Sequence, residues 1–244
     1  MRRFLVFLVF GFLVVDASAE ADPLRGVLPD NKRMQAVINA YHRIFYGLPQ
    51  TWQSNEWMGI ETQQNPNDAW ITQEIISERK PDYIIETGTM MGGSALLWAM
   101  VQEQVNPAGR VITVDIKDRT AEAQKVPAWK KVDFILGSST DPEVVDRIRE
   151  RVQGSEVLVI LDSAHDKDHV LAELEAYWKM VPVGGYLIVQ DTNLNGHPVS
   201  PTYGPGPWEA LEEFLSTNGH FMIDRDRERL LFTMHPNGYL KRVR

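Results

Sequence analysis

Pro81–Ser94, P-D-Y-I-I-E-T-G-T-M-M-G-G-S, is the stretch that decides the fold. A short apolar run from Tyr83 to Ile85 ends in the carboxylate of Glu86, and a glycine-rich turn then leads into a helical pattern that begins near Ser94. A strand, a glycine turn and a helix in this order present backbone N–H groups and a helix N-terminus to a ligand. The stretch therefore predicts the first parallel strand of a ligand-binding α/β domain.

The turn itself differs from the dinucleotide-binding fingerprint. Gly88, Gly92 and Gly93 allow positive φ and close approach of the main chain, but Met90 stands where that fingerprint requires its second glycine. A carboxylate at the strand end, before the turn, suits a ligand with an ammonium group better than it suits a pyrophosphate. The pattern favours S-adenosylmethionine (SAM) over NAD as the cofactor.

Composition narrows the class of protein. The chain has 244 residues, enough for one substantial core, with 33 acidic and 25 basic residues and a net charge of -8. This balance argues against a nucleic-acid partner, because proteins that bind phosphate backbones usually carry a basic stripe. The sequence contains no cysteine, which excludes disulfides, thiolate metal sites and a cysteine nucleophile.

Residues 1–19 have the features of a targeting segment. Two arginines precede the apolar run from Phe4 to Val15, and A-S-A follows at 17–19. A positive start, a short apolar stretch and an A-x-A site are typical of a secretory signal peptide, and the run is shorter than the roughly 20 residues of a membrane span. We expect a signal peptide or a membrane tether. The protein would then be exported or membrane-associated, and would lie on the cytoplasmic face if the segment is an uncleaved tether.

Strand-like and helical patterns alternate through the rest of the chain. The predicted strands cover 83–87, 110–115, 132–136, 156–161, 185–190, 219–223 and 229–234, and the helices between the first five cover 94–105, 120–130, 141–152 and 167–180. Two further helices are expected at 31–46 and from an N-cap at Asp68 to about Arg79. The alternation predicts an α/β fold with a doubly wound, mostly parallel seven-stranded sheet. A C-terminal antiparallel hairpin turning at 224–228 would close it, as in class I methyltransferases, and one domain would cover 31–242.

Ligands of doubly wound sheets bind at the carboxyl ends of the strands. The second predicted strand ends at Asp115, whose carboxylate suits two ribose hydroxyls, although it would also suit a helix cap. The third ends in the small residues Gly137, Ser138 and Ser139, which would let an adenine lie against them, although Ser139 or Asp141 would equally serve as a cap. The predicted cofactor-binding residues are Glu86, Thr87, Gly88, Thr89, Gly92, Ser94, Asp115, Gly137, Ser138 and Ser139.

The fourth and fifth predicted strands both end in carboxylates. Asp162 follows one and Gln190-Asp191 follows the other. Charges at adjacent strand ends need a partner, and their oxygen ligands suit Mg²⁺, which would lower the pKa of a bound substrate hydroxyl. His165 lies three residues beyond Asp162 and is the candidate general base, with a cap or surface role as the alternative. Asp162 and His165 are the predicted catalytic residues, and Asp162, Gln190 and Asp191 the predicted metal ligands.

The segment after Asp191, N-L-N-G-H-P-V-S-P-T-Y-G-P-G-P, lacks apolar periodicity. Loops of this length are often lids or binding loops. Because it follows the predicted metal ligands directly, we expect it to shape the acceptor pocket, with His197 and Tyr203 as candidate substrate contacts.

Several of these stretches together resemble the cephalosporin hydroxylase family. They include E-T-G-T-M-M-G-G-S, V-I-T-V-D-I, L-G-S-S-T, L-D-S-A-H, V-G-G-Y-L-I-V-Q-D-T, W-M-G-I-E-T-Q-Q-N-P-N-D-A-W and H-P-N-G-Y-L-K-R, between about Arg33 and Arg242. The family has a SAM-dependent methyltransferase fold and includes rhamnosyl O-methyltransferases that act on glycolipids. The resemblance implies SAM bound by Glu86, Gly88 and Asp115, and Mg²⁺ bound by Asp162 and Asp191. Gln190 stands where the family typically has glutamate.

The sequence thus predicts a SAM-dependent, Mg²⁺-assisted O-methyltransferase for a hydroxyl of a sugar, glycolipid or small metabolite. One alternative is a non-haem iron hydroxylase that uses Asp162, His165 and a second histidine. Another is a SAM-binding or exported binding protein that has lost catalysis, which Gln190 and the signal-like start suggest. The identity of the acceptor and the oligomeric state, a homo-oligomer included, stay open.

Overall fold

The computed structural model describes residues 31–244, so the expected signal peptide or tether at 1–19 lies outside the described residues. The described chain divides at Val37, which ends one unit, and Ile38–Arg244 form a second, compact unit. No helix within 31–244 is long and apolar enough to cross a membrane.

Helices and strands alternate along most of the described chain. The strands, β1 to β9, span Glu56–Trp57, Ile60–Glu61, Tyr83–Thr87, Arg110–Asp115, Val132–Leu136, Val157–Leu161, Tyr186–Val189, Phe221–Ile223 and Tyr239–Arg242. The α-helices, α1 to α6, span Asn31–Gly47, Pro66–Arg79, Gly93–Val105, Pro142–Val152, Lys167–Tyr177 and Pro207–Thr217.

Seven of these strands form one sheet in the order β5-β4-β3-β6-β7-β9-β8. The strands from β5 to β7 in this order run parallel, whereas β9 pairs antiparallel with both β7 and β8. The predicted mostly parallel seven-stranded sheet with an antiparallel C-terminal pair is confirmed. The carboxyl ends of β3, β4, β6 and β7 meet at one edge of the sheet, where the candidate site lies.

Apolar side chains fill both faces of the sheet, as expected for parallel strands covered on two sides. All residues of β6 are buried. Val145, Leu174 and Phe214 from α4, α5 and α6 pack on one face, and Ile71 and Trp98 from α2 and α3 pack on the other. Helices on both faces make the fold doubly wound.

The predicted strand at 229–234 is wrong. This segment is irregular, and the last strand is β9, so the antiparallel pair is joined by a longer connection than the predicted turn at 224–228. This apolar segment packs against α1 instead of forming a strand. The Phe232 ring contacts the rings of Tyr41, His42 and Phe45 edge-on, at 4.6–5.3 Å between ring centroids.

Two helix predictions also need correction. The segment 120–130 forms two short 3-10 turns rather than an α-helix. Asp68 does not cap α2; Asn65 does, with its side chain accepting from Asn67 N and Pro66 in the first turn. Asp68 lies within that first turn and is buried. Its carboxylate accepts from the Met234 amide at 2.8 Å and the Tyr239 hydroxyl at 2.9 Å.

Candidate active site

A cleft of about 430 Å³ opens at the carboxyl ends of the parallel strands. The turn after β3 and the ends of β4, β5, β6 and β7 all contribute to its walls, as is usual for ligand sites of doubly wound sheets. The predicted site residues that line it are Gly88, Thr89, Ser94, Asp115, Gly137, Ser138, Ser139, Asp162, His165, Gln190 and Asp191.

Asp115 fastens the glycine turn to the end of β4. Its Oδ2 atom accepts from the backbone N–H groups of Thr89, at 3.1 Å, and Met90, at 2.9 Å. Gly88 has φ +84°, and a Cβ there would overlap the backbone oxygen of Asp162. Asp115 caps no helix: its Oδ1 atom accepts from Lys117 N at 2.9 Å. The carboxylate reaches the cleft wall while it holds the turn in shape.

Glu86 does not line the cleft, and its predicted contact with a ligand ammonium group stays a prediction. Trp98 Nε1 donates to one carboxylate oxygen at 2.9 Å and Thr113 Oγ1 donates to the other at 2.7 Å. The residue is 1% exposed, and burial raises its pKa to about 7 although these hydrogen bonds lower it. The Glu86 carboxylate is therefore buried inside the protein, next to the glycine turn.

Thr87 and Gly92 are also absent from the cleft wall. Thr87 is fully buried, and its Oγ1 atom accepts from Asp162 N at 3.2 Å. Gly92, at φ +88°, packs under the Trp129 ring and precedes α3. Both residues have structural contacts inside the protein, and their predicted role as cofactor contacts stays a prediction.

A group of hydrogen-bonded polar side chains lies next to the end of β5. His169 Nε2 is 3.3 Å from Ser139 Oγ and 3.0 Å from Ser163 Oγ, and Ser163 donates to the buried Glu173 at 2.6 Å. A hydrogen bond with Glu173 raises the pKa of His169. Sequence reasoning missed His169, which lies in the first turn of α5. Of the two cap candidates there, Asp141 caps α4.

Asp162, His165 and Asp191 form the chemical centre of the cleft. One ligand atom from each lies within 4.8 Å of the others. His165 Nε2 is 3.3 Å from Asp191 Oδ2. Burial, and then the charge of Asp191, raises the pKa of Asp162 well above its usual range. Two carboxylates this close call for a positive charge between them, which a divalent cation would supply.

Gln190 is tied to Gln64, a residue that sequence reasoning missed. Gln64 Nε2 donates to Gln190 Oε1 at 3.1 Å and to Asp162 Oδ2 at 3.0 Å. Gln64 and Gln190 are both buried. The amide oxygen of Gln190 therefore faces the carboxylate group of the cluster, beside the predicted ligands.

Two aromatic rings form the outer wall next to Asp191. Tyr46 and Trp52 stack at 5.2 Å with an interplanar angle of 23°, and both line the cleft. Burial raises the pKa of Tyr46, and the nearby charge of Asp191 raises it further. Tyr46 lies in the last turn of α1 and Trp52 follows that helix, where the sequence offered no chemical signal. They are the aromatic surface that an acceptor would meet.

The two predicted substrate residues are not part of the cleft wall. His197 stacks on Trp208 at 4.2 Å and its Nε2 atom is 3.0 Å from Glu209 Oε1, so its ring is occupied in packing the loop onto α6. Tyr203 is 48% exposed and lies outside the lining residues. Burial, and then the charge of Asp191, raises the pKa of Tyr203, so the loop lies near the cleft, and its contact with an acceptor stays a prediction.

The donor set decides which ions fit. Two carboxylates, with an amide oxygen beside them, suit a hard divalent cation. The non-haem iron alternative needs a second histidine, and within residues 31–244 the ligand group holds one histidine and two aspartates.

Comparisons with known proteins agree with this geometry. Residues 49–243 match the family described as Rhamnosyl O-methyltransferase/CmcI. The chain is 39% identical over 217 residues to a rhamnosyl O-methyltransferase of Mycobacterium bovis (strain BCG / Pasteur 1173P2), covering 85% of each. An apo structure of CmcI superposes with a TM-score of 0.60 at 18% identity, covering 79% of this chain and 77% of that one. A CmcI structure described as Mg-SAM gives 0.57 at 18% identity, covering 79% and 78%.

Proposed function

The chain belongs to the rhamnosyl O-methyltransferase/CmcI family and is a SAM-dependent O-methyltransferase, and we propose that it methylates a sugar hydroxyl with the assistance of Mg²⁺. The observation that carries the proposal is the placement of the Asp162–His165–Asp191 group in the same cleft as the glycine turn. A methyl donor and a hydroxyl acceptor would thus share one enclosed space.

The cofactor half of the cleft fits SAM. When bound, SAM supplies an electrophilic methyl group. Asp115 lines the cleft and would accept from ribose hydroxyls, while Gly88 lets the main chain approach closely. Ser138 and Ser139 offer a small, polar surface for a purine.

The other half fits a cation and a proton acceptor. Asp162 and Asp191 would hold Mg²⁺, and Gln190 Oε1, which shares the Gln64 amide with Asp162, would be a third oxygen ligand. The ion would lower the pKa of an acceptor hydroxyl. His165 would accept the hydroxyl proton, because the Asp191 carboxylate at 3.3 Å stabilises the imidazolium that results. The Mg-SAM form described for CmcI supports this combination of ligands.

We propose that the acceptor is a rhamnosyl group or a related sugar, as the name of the mycobacterial relatives suggests. The stacked Tyr46 and Trp52 rings offer an apolar platform for a sugar ring. A glycolipid acceptor would agree with the apolar run in residues 1–19. We propose that this run tethers the enzyme to the cytoplasmic face of a membrane, because SAM is made in the cytoplasm.

Calorimetry tests the two halves separately. The full chain is titrated with SAM, with its product S-adenosylhomocysteine (SAH) and with NAD, each with and without MgCl₂. We expect SAM and SAH to bind without Mg²⁺, no binding of NAD, and Mg²⁺ binding that Asp191→Asn abolishes. A preference for NAD would reject the cofactor assignment, and Mg²⁺ binding unaffected by Asp191→Asn would reject the cation site.

A further inference from the structure

Asp191 adopts a backbone conformation that ordinary residues avoid. Its φ is +54°, in the left-handed region, although it is not glycine. Such conformations are strained and persist only where the surroundings enforce them. The carboxylate of Asp191 depends on this backbone for its direction toward Asp162 and His165.

His235 is in contact with that backbone. Asp191 N donates to His235 Nδ1 at 3.2 Å. Because Nδ1 accepts, the proton of the neutral imidazole is on Nε2. His235 is 3% exposed and also lines the cleft, and its Nε2 atom is buried without a hydrogen-bond partner.

Asp68 faces the other side of the imidazole. Its Oδ2 atom is 3.7 Å from His235 Nε2, beyond hydrogen-bonding distance but close enough to favour a proton on Nε2. The Asp68 carboxylate is itself fixed by Asn65 Nδ2, at 2.7 Å, and Met234 N, at 2.8 Å. The carboxylate, the imidazole and the Asp191 amide form a line from α2 to the end of β7.

We propose that His235 is a positioning residue that holds Asp191 in its left-handed conformation, with Asp68 fixing the tautomer of the imidazole. The proposal rests on the proposed function for the identity of the cation at Asp191, but the hydrogen bond itself does not. Loss of the Nδ1 acceptor would release the Asp191 amide and let the carboxylate turn away from Asp162 and His165.

Two substitutions separate the two nitrogen atoms. His235→Asn places an amide oxygen near the position of Nδ1 and retains an acceptor for Asp191 N. His235→Gln reaches the position of Nε2 and leaves Asp191 N without that acceptor. Both variants carry a carboxamide side chain, so they differ only in its length. SAH affinity and thermal unfolding of both proteins report any loss of folding.

The wild-type protein is first tested without metal. A ¹⁵N–¹⁵N coupling between Asp191 N and His235 Nδ1 is expected in labelled protein, and its absence would overturn the proposal. Mn²⁺ binding, followed by the loss of its free paramagnetic signal, is then compared. We expect His235→Gln to weaken Mn²⁺ at least about tenfold, and His235→Asn to stay near wild type, with SAH affinity unchanged in both.

Equal loss in the two variants, or equal retention, would contradict the positioning role. If wild-type protein shows the coupling but binds no Mn²⁺, the proposed cation fails instead. Crystal structures of the two variants then test the role of His235. A left-handed Asp191 in His235→Asn and a changed Asp191 φ in His235→Gln would support the proposal. The same Asp191 φ in both variants would reject it.

Discussion

The side-chain amide of Gln64 donates to Asp162 Oδ2 at 3.0 Å, although 98 residues separate the two in sequence. The same amide nitrogen donates to Gln190 Oε1. The positive end of the Gln64 amide dipole therefore lies between the end of β6 and the end of β7. Since Asp162 is buried beside Asp191, this dipole compensates part of the negative charge of the site.

Gln190→Glu is expected to tighten Mg²⁺ binding. A third anionic oxygen raises the affinity of a hard-cation site, and the Gln64 amide is placed to donate to the new carboxylate as well. Calorimetric titration with MgCl₂ measures the effect, and Gln190→Leu, which has no oxygen, is the control and should bind more weakly than wild type. A folded Gln190→Glu protein with unchanged affinity would show that position 190 does not face the ion.

Asp115→Ala should weaken SAM binding. Losing bonds to two ribose hydroxyls, together with the turn that Asp115 fastens, costs roughly 2–4 kcal/mol, at least tenfold in affinity. Asp115→Asn keeps one oxygen acceptor and should lose less. SAH titration of both variants measures this, with circular dichroism as the check on folding. Wild-type affinity in Asp115→Ala would restrict the residue to a structural role.

His165→Ala and Asp191→Asn should have different effects. Asp191→Asn removes a cation ligand, so Mg²⁺ binding should be lost while SAH binding stays. His165→Ala should retain Mg²⁺ but lose at least about a hundredfold in the rate of methyl transfer, because the group that accepts the proton is gone. A His165→Ala protein that no longer binds Mg²⁺ would identify His165 as a ligand rather than the base.

The stability of the fold should depend on pH through His42. Burial lowers the pKa of His42 to about 4, and its Nε2 atom is 2.9 Å from Asn193 Nδ2. The unfolded chain takes up a proton at about pH 6.5, so the stabilisation is complete above that pH and is lost as the pH falls toward 4.

Between about pH 7 and about pH 5, this histidine alone should cost about 2 kcal/mol of unfolding free energy. His42→Gln keeps an acceptor for Asn193 but does not titrate. Urea unfolding of both proteins at the two pH values isolates the effect, since all other groups are shared. Parallel losses in wild type and variant would mean that His42 is not the group responsible.

Residues at the ends of parallel strands were the predictable part of the site. Asp115, Asp162 and Asp191 each follow an apolar run, and parallel strands bring such positions to one edge of the sheet. Order along the chain was therefore enough to place them together. Their side-chain directions were not predictable: Glu86 also ends a strand, yet it faces Trp98 in the interior.

The remaining site residues come from segments without periodic patterns. Gln64 precedes α2, Tyr46 lies in the last turn of α1 and His235 lies in the connection before β9. Only the tertiary fold brings Tyr46 and His235 to the cleft and Gln64 to Asp162. The wrongly predicted strand at 229–234 also reflects long-range packing. Phe232 packs against α1 and not against a neighbouring strand. Long-range packing of this kind leaves no local signal.

The most direct test of the account is transfer of a labelled methyl group from SAM to a rhamnoside by the full chain. With MgCl₂ we expect a product that is one methyl group heavier and methylated on oxygen. EDTA should abolish it, and excess Mg²⁺ should restore it. A product that forms equally well in EDTA would contradict the role of Asp162 and Asp191 as cation ligands, and no methylated product with any hydroxylated sugar would contradict the proposed sugar acceptor.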